Sequence, residues 1–500
     1  MPPPVAALIF AIGIAGLFYF DRDKNVRVSK ALWIPTLWLF FCLSRSLSQW
    51  LGVSAAGDAA STYVEGSPLD AAVYEALEVL ALIVLIFRRH RVGPILRSNW
   101  AIWLFFSYAA LSMSWSDFPF VTLKHWIKGL GDVMMIMILL TEPNVQDALR
   151  RVFTRLAFIL LPLSVLFIKY YLQLGRRLTL SWTMEPVGVT TQKNGLGELC
   201  DFLGLVLLWR FRTVYVDRTD PNRKRRLAAL GAALAMVVWL LWMCNSMTSI
   251  CALSMATVVM LCSTRPAFRR TPARVHLLIL VLLSCTIYAL FFQSSGSLIQ
   301  SLGRNPTLTG RTDIWSMVVT VVDNRLIGAG YESFWLGSRL ERLWEAFPNF
   351  ELSEAHNGYV EVFLNLGWIG IVLLAILIVT GYQKVISCYR RDPDMGSLRV
   401  AIFLAVIITG LTEAAFRMMG PPWIFFLLAT TAAPAYTAHK ARRSARRVRA
   451  HARPPQTQVD IPSEEVFSGL RGGERSKGMV SDKDSDKGTL PQTPTQLRYF

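Results

Sequence analysis

The sequence predicts an all-α polytopic membrane protein with about 12 to 13 transmembrane helices and one large folded loop, and three observations carry that prediction. Of the 500 residues, 53% are apolar and only 17% charged, with a mean hydropathy of +0.39, whereas a soluble domain carries about 25% charged residues. Apolar stretches near the roughly 20 residues needed to cross a hydrocarbon core recur along the whole chain. The Arg and Lys residues behind the formal charge of +18 sit in short clusters between those stretches, where they mark topology rather than a basic nucleic-acid-binding face. The seven cysteines (Cys42, Cys200, Cys244, Cys251, Cys262, Cys285, Cys388) lie in or beside apolar runs without metal-ligand spacing. That argues against a disulfide-built secreted module and against structural zinc.

Taken in order, the expected spans are 4–20, 31–51, 71–87, 100–115, 126–141, 154–172, 195–211, 227–244, 247–263, 276–293, 358–382, 399–416 and 421–437. The first lacks a basic n-region and is followed by Asp21, Arg22, Asp23 and Lys24, so it is expected to stay as an anchor rather than be cleaved. Alternating the loops from there collects the basic ones on one side: Arg22 to Lys30, Arg88 to Arg97, Arg150 to Arg155, Arg210 to Arg226, Arg265 to Arg274 and Lys384 to Arg399. By the positive-inside rule that side is cytoplasmic. The opposite loops, such as Leu51 to Asp70, are nearly free of Lys and Arg.

Two segments break the short-loop pattern. From Gln293 to Asn357 the chain makes a long outer excursion with Trp315, Trp335, Trp344 and Pro348, expected to be folded, helical around Ile314 to Val322, and functional. After Tyr436 a basic run from His439 to Arg449 leads into sequence rich in Pro, Ser, Asp, Lys and Gly, expected to be disordered and drawn to anionic headgroups. The organisation is therefore 1–106, N-terminal helices; 107–293, helices with short outer loops; 294–357, the large loop; 358–438, C-terminal helices; and 439–500, the cytoplasmic tail.

Ionisable residues inside a bilayer are costly, so where they sit is informative. Glu75, Glu78, Lys128, Asp132, Glu198, Asp201, Glu413 and Arg417 all fall in the outer half of their spans. They form either i,i+4 pairs, as Lys128 with Asp132 and Glu413 with Arg417, or a polar cavity opening outward. An ion-coupled transporter needs polar groups near the midplane of two repeated halves, and no internal repeat is evident. One-sided placement suits an enzyme at the outer face.

The most informative stretches are Leu308 to Trp335, with Thr309, Gly310, Arg311, Thr312, Trp315, Gly328, Gly330, Tyr331 and Phe334, and Ala355 to Gly370, where His356-Asn357 precedes Gly367 and Gly370. Together they resemble the family of O-antigen ligases and of O-antigen and exopolysaccharide polymerases. Weaker similarity lies in Leu111 to Ser116, Gly188 to Gly197, Asn245 to Ser249 and Thr412-Glu413, so the resemblance spans Ser107 to Ala438.

The resemblance implies a helical glycosyltransferase of the C type, in the bacterial inner membrane, with its active site facing the periplasm. It implies a donor glycan on undecaprenyl diphosphate, an acceptor sugar on a growing polysaccharide or on lipid A core, and no metal or other cofactor. Export or chain-length-regulating proteins and membrane lipids are the expected partners, and nucleic acid is not. His356 is expected to be the general base, since an imidazole with an ordinary pKa of about 6.5 can take a hydroxyl proton near neutrality; otherwise it caps the next helix. Arg311, Arg177 and Lys193 are the candidate diphosphate contacts, against a loop salt bridge of Arg311 with Asp313 or Asp323 and interfacial anchoring of Arg177. Asn357, Glu413, Ser246, Asn194 and Tyr331 are candidates for contacting the acceptor or supporting the site. Glu413 can orient His356, and Trp315, Phe334 and Trp335 can stack on sugars.

One departure matters. Where family members commonly carry a basic residue after the Ser of Asn245 to Ser249, this chain has Met247. Gln192 to Gly197 looks most like the exopolysaccharide branch, which favours a polymerase. A ligase onto lipid A core, a lipid-linked oligosaccharide flippase or exporter, and a non-catalytic scaffold are the competing readings.

Overall fold

Away from water, backbone amides must be satisfied within the chain, and an apolar segment does that alone only as a helix. A computed structural model describes residues 1–22, 28–53, 67–179, 182–291, 311–346 and 352–432. All of these lie in one unit, Met1–Arg443, and the expected disordered tail lies outside the described residues. The helices are α1 (Pro3–Phe20), α2 (Trp33–Cys42), α3 (Leu47–Leu51), α4 (Pro68–Phe87), α5 (Arg89–Ser98), α6 (Trp100–Leu111), α7 (Pro119–Leu140), α8 (Val145–Tyr170) and α9 (Leu172–Gly175). After a small antiparallel hairpin of β1 (Arg176–Leu178) and β2 (Met184–Pro186) come α10 (Lys193–Val216), α11 (Arg223–Cys244), α12 (Met247–Ser263), α13 (Pro266–Arg270) and α14 (Ala273–Phe291). The large loop carries α15 (Arg311–Thr320) and α16 (Gly337–Ala346), and the chain continues through α17 (Gly358–Arg391), α18 (Pro393–Thr409) and α19 (Pro421–Thr430).

The protein is an all-α polytopic membrane protein. Among the described residues five helices, α1, α8, α11, α14 and α17, are long and apolar enough by themselves to cross a membrane, and α2, α6, α12 and α19 are shorter apolar helices. The expected span 31–51 is broken, because α2 ends at Cys42 and Ser46 opens α3 with a capping box that uses Gln49. The centre of the bundle is α8, α10, α18 and α19, where Phe425 stacks on Phe202 at 4.5 Å and meets Phe153 at 5.0 Å. Around it, α1, α4 and α14 turn Leu8, Ile12, Leu82, Phe87, Leu277 and Leu280 outward. So much outward-facing apolar surface is stable against lipid and not against water.

The large loop folds around a core of its own: Ile314, Val318, Phe334, Trp335, Leu340 and Leu343 pack with Phe363 and Leu364 of α17. Buried Arg339 ties it further, donating to the carboxylates of Asp117 and Asp323 and to the carbonyls of Ser333 and Phe334.

Two interruptions of helix position the site. Within α17, Gly367 takes φ 64°, ψ −163°, and the loop repairs the ladder that this breaks. Ala329 and Gly330 donate to the carbonyls of Leu364 and Asn365 at 3.0 and 2.8 Å, while Trp368 and Ile369 donate to those of Arg325 and Leu326 at 3.0 and 3.2 Å.

The second interruption is at the end of α18. The apolar pattern predicts this helix to 416, with Glu413 and Arg417 either paired one turn apart or lining a polar cavity. In the structure α18 stops at Thr409 and residues 410–420 run irregularly through the protein, where carboxylates from other elements hold their amides. Asp132 accepts from Met419 N at 2.8 Å and Glu332 from Met418 N at 3.2 Å. Arg417 pairs with Glu332 at 3.3 Å and Glu354 at 3.7 Å, and Asp132 accepts from the Trp38 indole at 2.9 Å. Irregular backbone among apolar helices is tolerated where, as here, protein groups satisfy its amides.

Candidate active site

His356 lies where these two interruptions meet. Its own backbone is left-handed, φ 49°, a conformation that costs most residues about 1–2 kcal/mol and that His, Asn and Asp adopt more readily than others. Both neighbours hold it there. The Ala355 amide donates to Glu361 at 2.5 Å, and the Ala355 carbonyl accepts from the Trp315 indole at 2.8 Å. On the other side Asn357 caps α17, accepting from Tyr359 N and Val360 N at 3.0 and 3.1 Å and donating to the Leu411 carbonyl at 3.2 Å. Gly358 N donates to the Gly410 carbonyl at 2.9 Å, so the start of α17 is tied to the irregular segment that carries Glu413.

The imidazole is gripped by two carboxylates. Nδ1 is 3.1 Å from Glu354 Oε1 and 3.3 Å from Glu413 Oε2. Glu413 is buried, and its other oxygen accepts from Asn194 of α10 at 3.0 Å. Glu198, one turn further along α10, stands within electrostatic reach of Glu413, Glu354 and His356. Burial alone would depress the pKa of His356, but the hydrogen bonds and charges of Glu354 and Glu413 outweigh it and raise the pKa to about 10. At neutral pH the ring is an imidazolium bridging two carboxylates. Glu354, His356 and Glu413 also present ligand atoms within 4.8 Å of one another, the one set among the described residues that could hold a metal ion.

The comparisons with known proteins fall on this region. Residues 224–375 match the family of O-antigen ligases, a stretch that runs from α11 through the large loop and His356 into α17. The chain is also 29% identical, over 337 residues, to the exopolysaccharide production protein ExoQ of Rhizobium meliloti (strain 1021), a match covering 62% of this chain and 71% of that protein. Both matches support kinship with the O-antigen ligases and exopolysaccharide-production proteins. They support a ligase- or polymerase-type role in surface polysaccharide biosynthesis, and with the apolar helices a multi-pass membrane location.

The family segments that are scattered in sequence converge in space. Ser112 and Ser116 of the Leu111 to Ser116 stretch accept from Tyr331 N at 2.9 Å and meet the Ser333 hydroxyl at 3.0 Å. Thr248 of the Asn245 to Ser249 turn touches the Thr412 hydroxyl at 2.9 Å, which brings buried Ser246 to the Glu413 side.

The other predicted residues are placed as follows. Lys193 opens α10 and pairs with Glu185 of β2. Arg177 is exposed on β1 opposite Glu185. Arg311 is the first residue of α15, with its side chain outside the described residues; Asp323, its suggested partner, pairs with Arg339 at 3.4 Å. Tyr331, Phe334 and Trp335 are buried in packing. Three functional neighbours escaped the sequence reading. Glu354 sits two residues from His356 with no pattern to flag it, Glu332 is 85 residues from the Arg417 it pairs with, and Arg45 holds the 174–190 segment through the carbonyls of Leu174, Gly188 and Thr190. Only the last had a signal, a lone Arg at the end of an apolar stretch.

Proposed function

We propose that this protein transfers a glycan from undecaprenyl diphosphate to a sugar hydroxyl at the periplasmic face of the bacterial inner membrane, without a metal, as an exopolysaccharide or O-antigen polymerase. The observation that carries this reading is the Glu354–His356–Glu413 cluster at the mouth of the helices, supported by the family match. In the reaction the acceptor oxygen bonds to the anomeric carbon, the bond from that carbon to the diphosphate breaks, and undecaprenyl diphosphate leaves with its electron pair. His356 takes the hydroxyl proton at Nε2, with Nδ1–H kept on the carboxylates. Lys193, Arg177 and Arg311 are the cations available to the leaving diphosphate, and its charge is what makes cations there productive. The growing glycan, or lipid A core in the ligase variant of the same chemistry, supplies the hydroxyl.

A base whose pKa is about 10 is almost wholly protonated at pH 7.5, and only its neutral form accepts a proton. Transfer is therefore expected to rise with pH, by about tenfold per unit well below the pKa. Glu413→Gln removes one of the charges that raise that pKa, so the rise should move to lower pH. A wild-type profile already flat above pH 7, or one that Glu413→Gln leaves in place, rules out His356 as the titrating base. Purified protein in liposomes with lipid-linked repeat units is expected to build a size ladder, and single-step transfer to an added lipid acceptor would instead show a ligase. Excess EDTA is expected to leave the rate unchanged; loss restored by a divalent ion would assign the Glu354–His356–Glu413 set to a metal.

A further inference from the structure

A second polar site lies at the other end of the bundle. The ends of α1 and α10 and the starts of α8 and α11 enclose a cavity of about 180 Å³ lined by Arg22, Arg150, Arg151, Arg155, Arg210 and Arg226. Asn194 and Arg210 are 16 residues apart on α10, or about 24 Å at 1.5 Å per residue, so this cavity is remote from His356. It lies at the end that the basic loops mark as cytoplasmic.

Its charges do not balance. Among the described residues four aspartates line it against six arginines, and their pairing does not reach Arg22 or Arg155. Asp21 takes both terminal nitrogens of Arg210 at 3.0 Å, and Asp220 takes Arg226 at 2.8 Å. Asp147 reaches Arg150 only at 3.7 Å, and Asp217 accepts from the Thr219 amide and hydroxyl at 3.0 and 2.6 Å. Arg22 and Arg155 make no ion pair among the described residues. Arg155 lies over the Trp33 ring at 4.2 Å and Arg150 over Trp209 at 5.1 Å, so aromatic faces hold both guanidinium groups in place at the cavity. Arg151 and Arg155 stand one turn apart on α8, close enough to repel each other. A multivalent anion between such groups removes the repulsion and receives forked hydrogen bonds, and basic pockets between helices at the cytoplasmic surface suit phosphate-bearing headgroups.

We propose that this cavity binds a phosphoryl group, presented either by an anionic phospholipid headgroup or by a soluble phosphorylated compound. The full chain in nanodiscs tests it with two probes, phosphatidylglycerol against phosphatidylcholine as the lipid, and inorganic pyrophosphate added to phosphatidylcholine discs. The readouts are the thermal unfolding midpoint and lipid retained in native mass spectrometry. At least one probe is expected to raise the midpoint, with binding weakened about tenfold or more by Arg155→Gln and by Arg22→Ala, for the loss of one charge-assisted contact. Arg269→Ala with Arg270→Ala, which removes exposed charge elsewhere, should leave binding unchanged. Phosphatidylglycerol alone acting identifies the headgroup, and pyrophosphate acting identifies the soluble source. The proposal is overturned if neither probe acts, or if the Arg269/Arg270 variant loses as much binding as the cavity variants. Should Arg155→Gln fail to fold because Trp33 loses its partner, exposed Arg22 carries the test.

Discussion

Replacing His356 with asparagine is expected to lower glycan transfer by about 10²–10⁴-fold, the usual worth of a positioned general base, while leaving the protein folded in the membrane. Asparagine is the informative choice because the backbone there is left-handed, φ 49°, and Asn accepts that conformation more readily than Ala. The backbone at 356 is also held independently of the ring's contacts with Glu354 and Glu413, through Ala355 to Glu361 and Trp315 and through the Asn357 cap. Lost transfer with an unchanged unfolding midpoint therefore reports chemistry. Glu354→Gln should show a smaller loss together with a pH profile shifted down, because it keeps the imidazole and removes part of what charges it. If His356→Asn retained transfer within a few-fold of wild type, the catalytic role would have to move to Glu354, Glu413 or Glu198, the remaining titratable groups of the cluster.

What the sequence showed and what it hid follow from the range of the interactions involved. Helices α1, α11 and α12 begin and end close to their expected positions, because apolar length and flanking charge are local properties. The end of α18 was misplaced for the opposite reason. Nothing within 410–420 forbids helix until Gly420 and Pro421; the segment leaves the helix because Asp132, Glu332 and the cap of α17 take its backbone groups, and all three lie more than fifty residues away. The same distance separates the two readings of the charged residues. Reading Lys128 with Asp132 and Glu413 with Arg417 assumes that charges on a helix meet their i+4 neighbours, yet buried Asp132 and Glu332 serve as backbone anchors. At the site, His356 was legible from its motif and Glu413 was seen as a residue that could orient it, whereas Glu354 was not, since a single acidic residue in a polar loop has no local signature. Tyr331, Phe334 and Trp335 are buried, a packing role that the expected fold of the loop allowed but that composition alone does not assign to particular aromatics.

Gly367→Ala is expected to be the most damaging single substitution for the fold, because two independent constraints fail together. At φ 64°, ψ −163° the residue lies in a region that is essentially glycine's alone. A side chain added there would fall on the backbone carbonyl of Leu326, the acceptor of the Ile369 amide. Relieving that overlap moves α17 away from residues 325–330 and strains the four reciprocal hydrogen bonds that replace the missing turn of helix. Each buried amide or carbonyl left unpaired costs about 1–3 kcal/mol, and the left-handed backbone about 1–2 kcal/mol more, which together approach the 5–15 kcal/mol that stabilises a typical domain. The measurement is the unfolding midpoint and the yield of monodisperse protein, with Gly231→Ala on α11 as a comparison, a helical glycine whose added Cβ meets nothing closer than 3.8 Å. Gly367→Ala should lose stability and transfer together, whereas His356→Asn loses transfer alone. A Gly367→Ala protein with a wild-type midpoint would mean that the loop and α17 do not share these bonds. The spacing between His356 and Gly367 then has a physical reason: the first half of α17, nine residues from Gly358 to Leu366, is a rigid spacer. It is fixed at one end by the Asn357 cap and at the other by the splice, and the loop core packs against it. That spacer sets the distance of the imidazole from the splice and the loop core, so a change in its length should be as harmful to transfer as a change in the histidine.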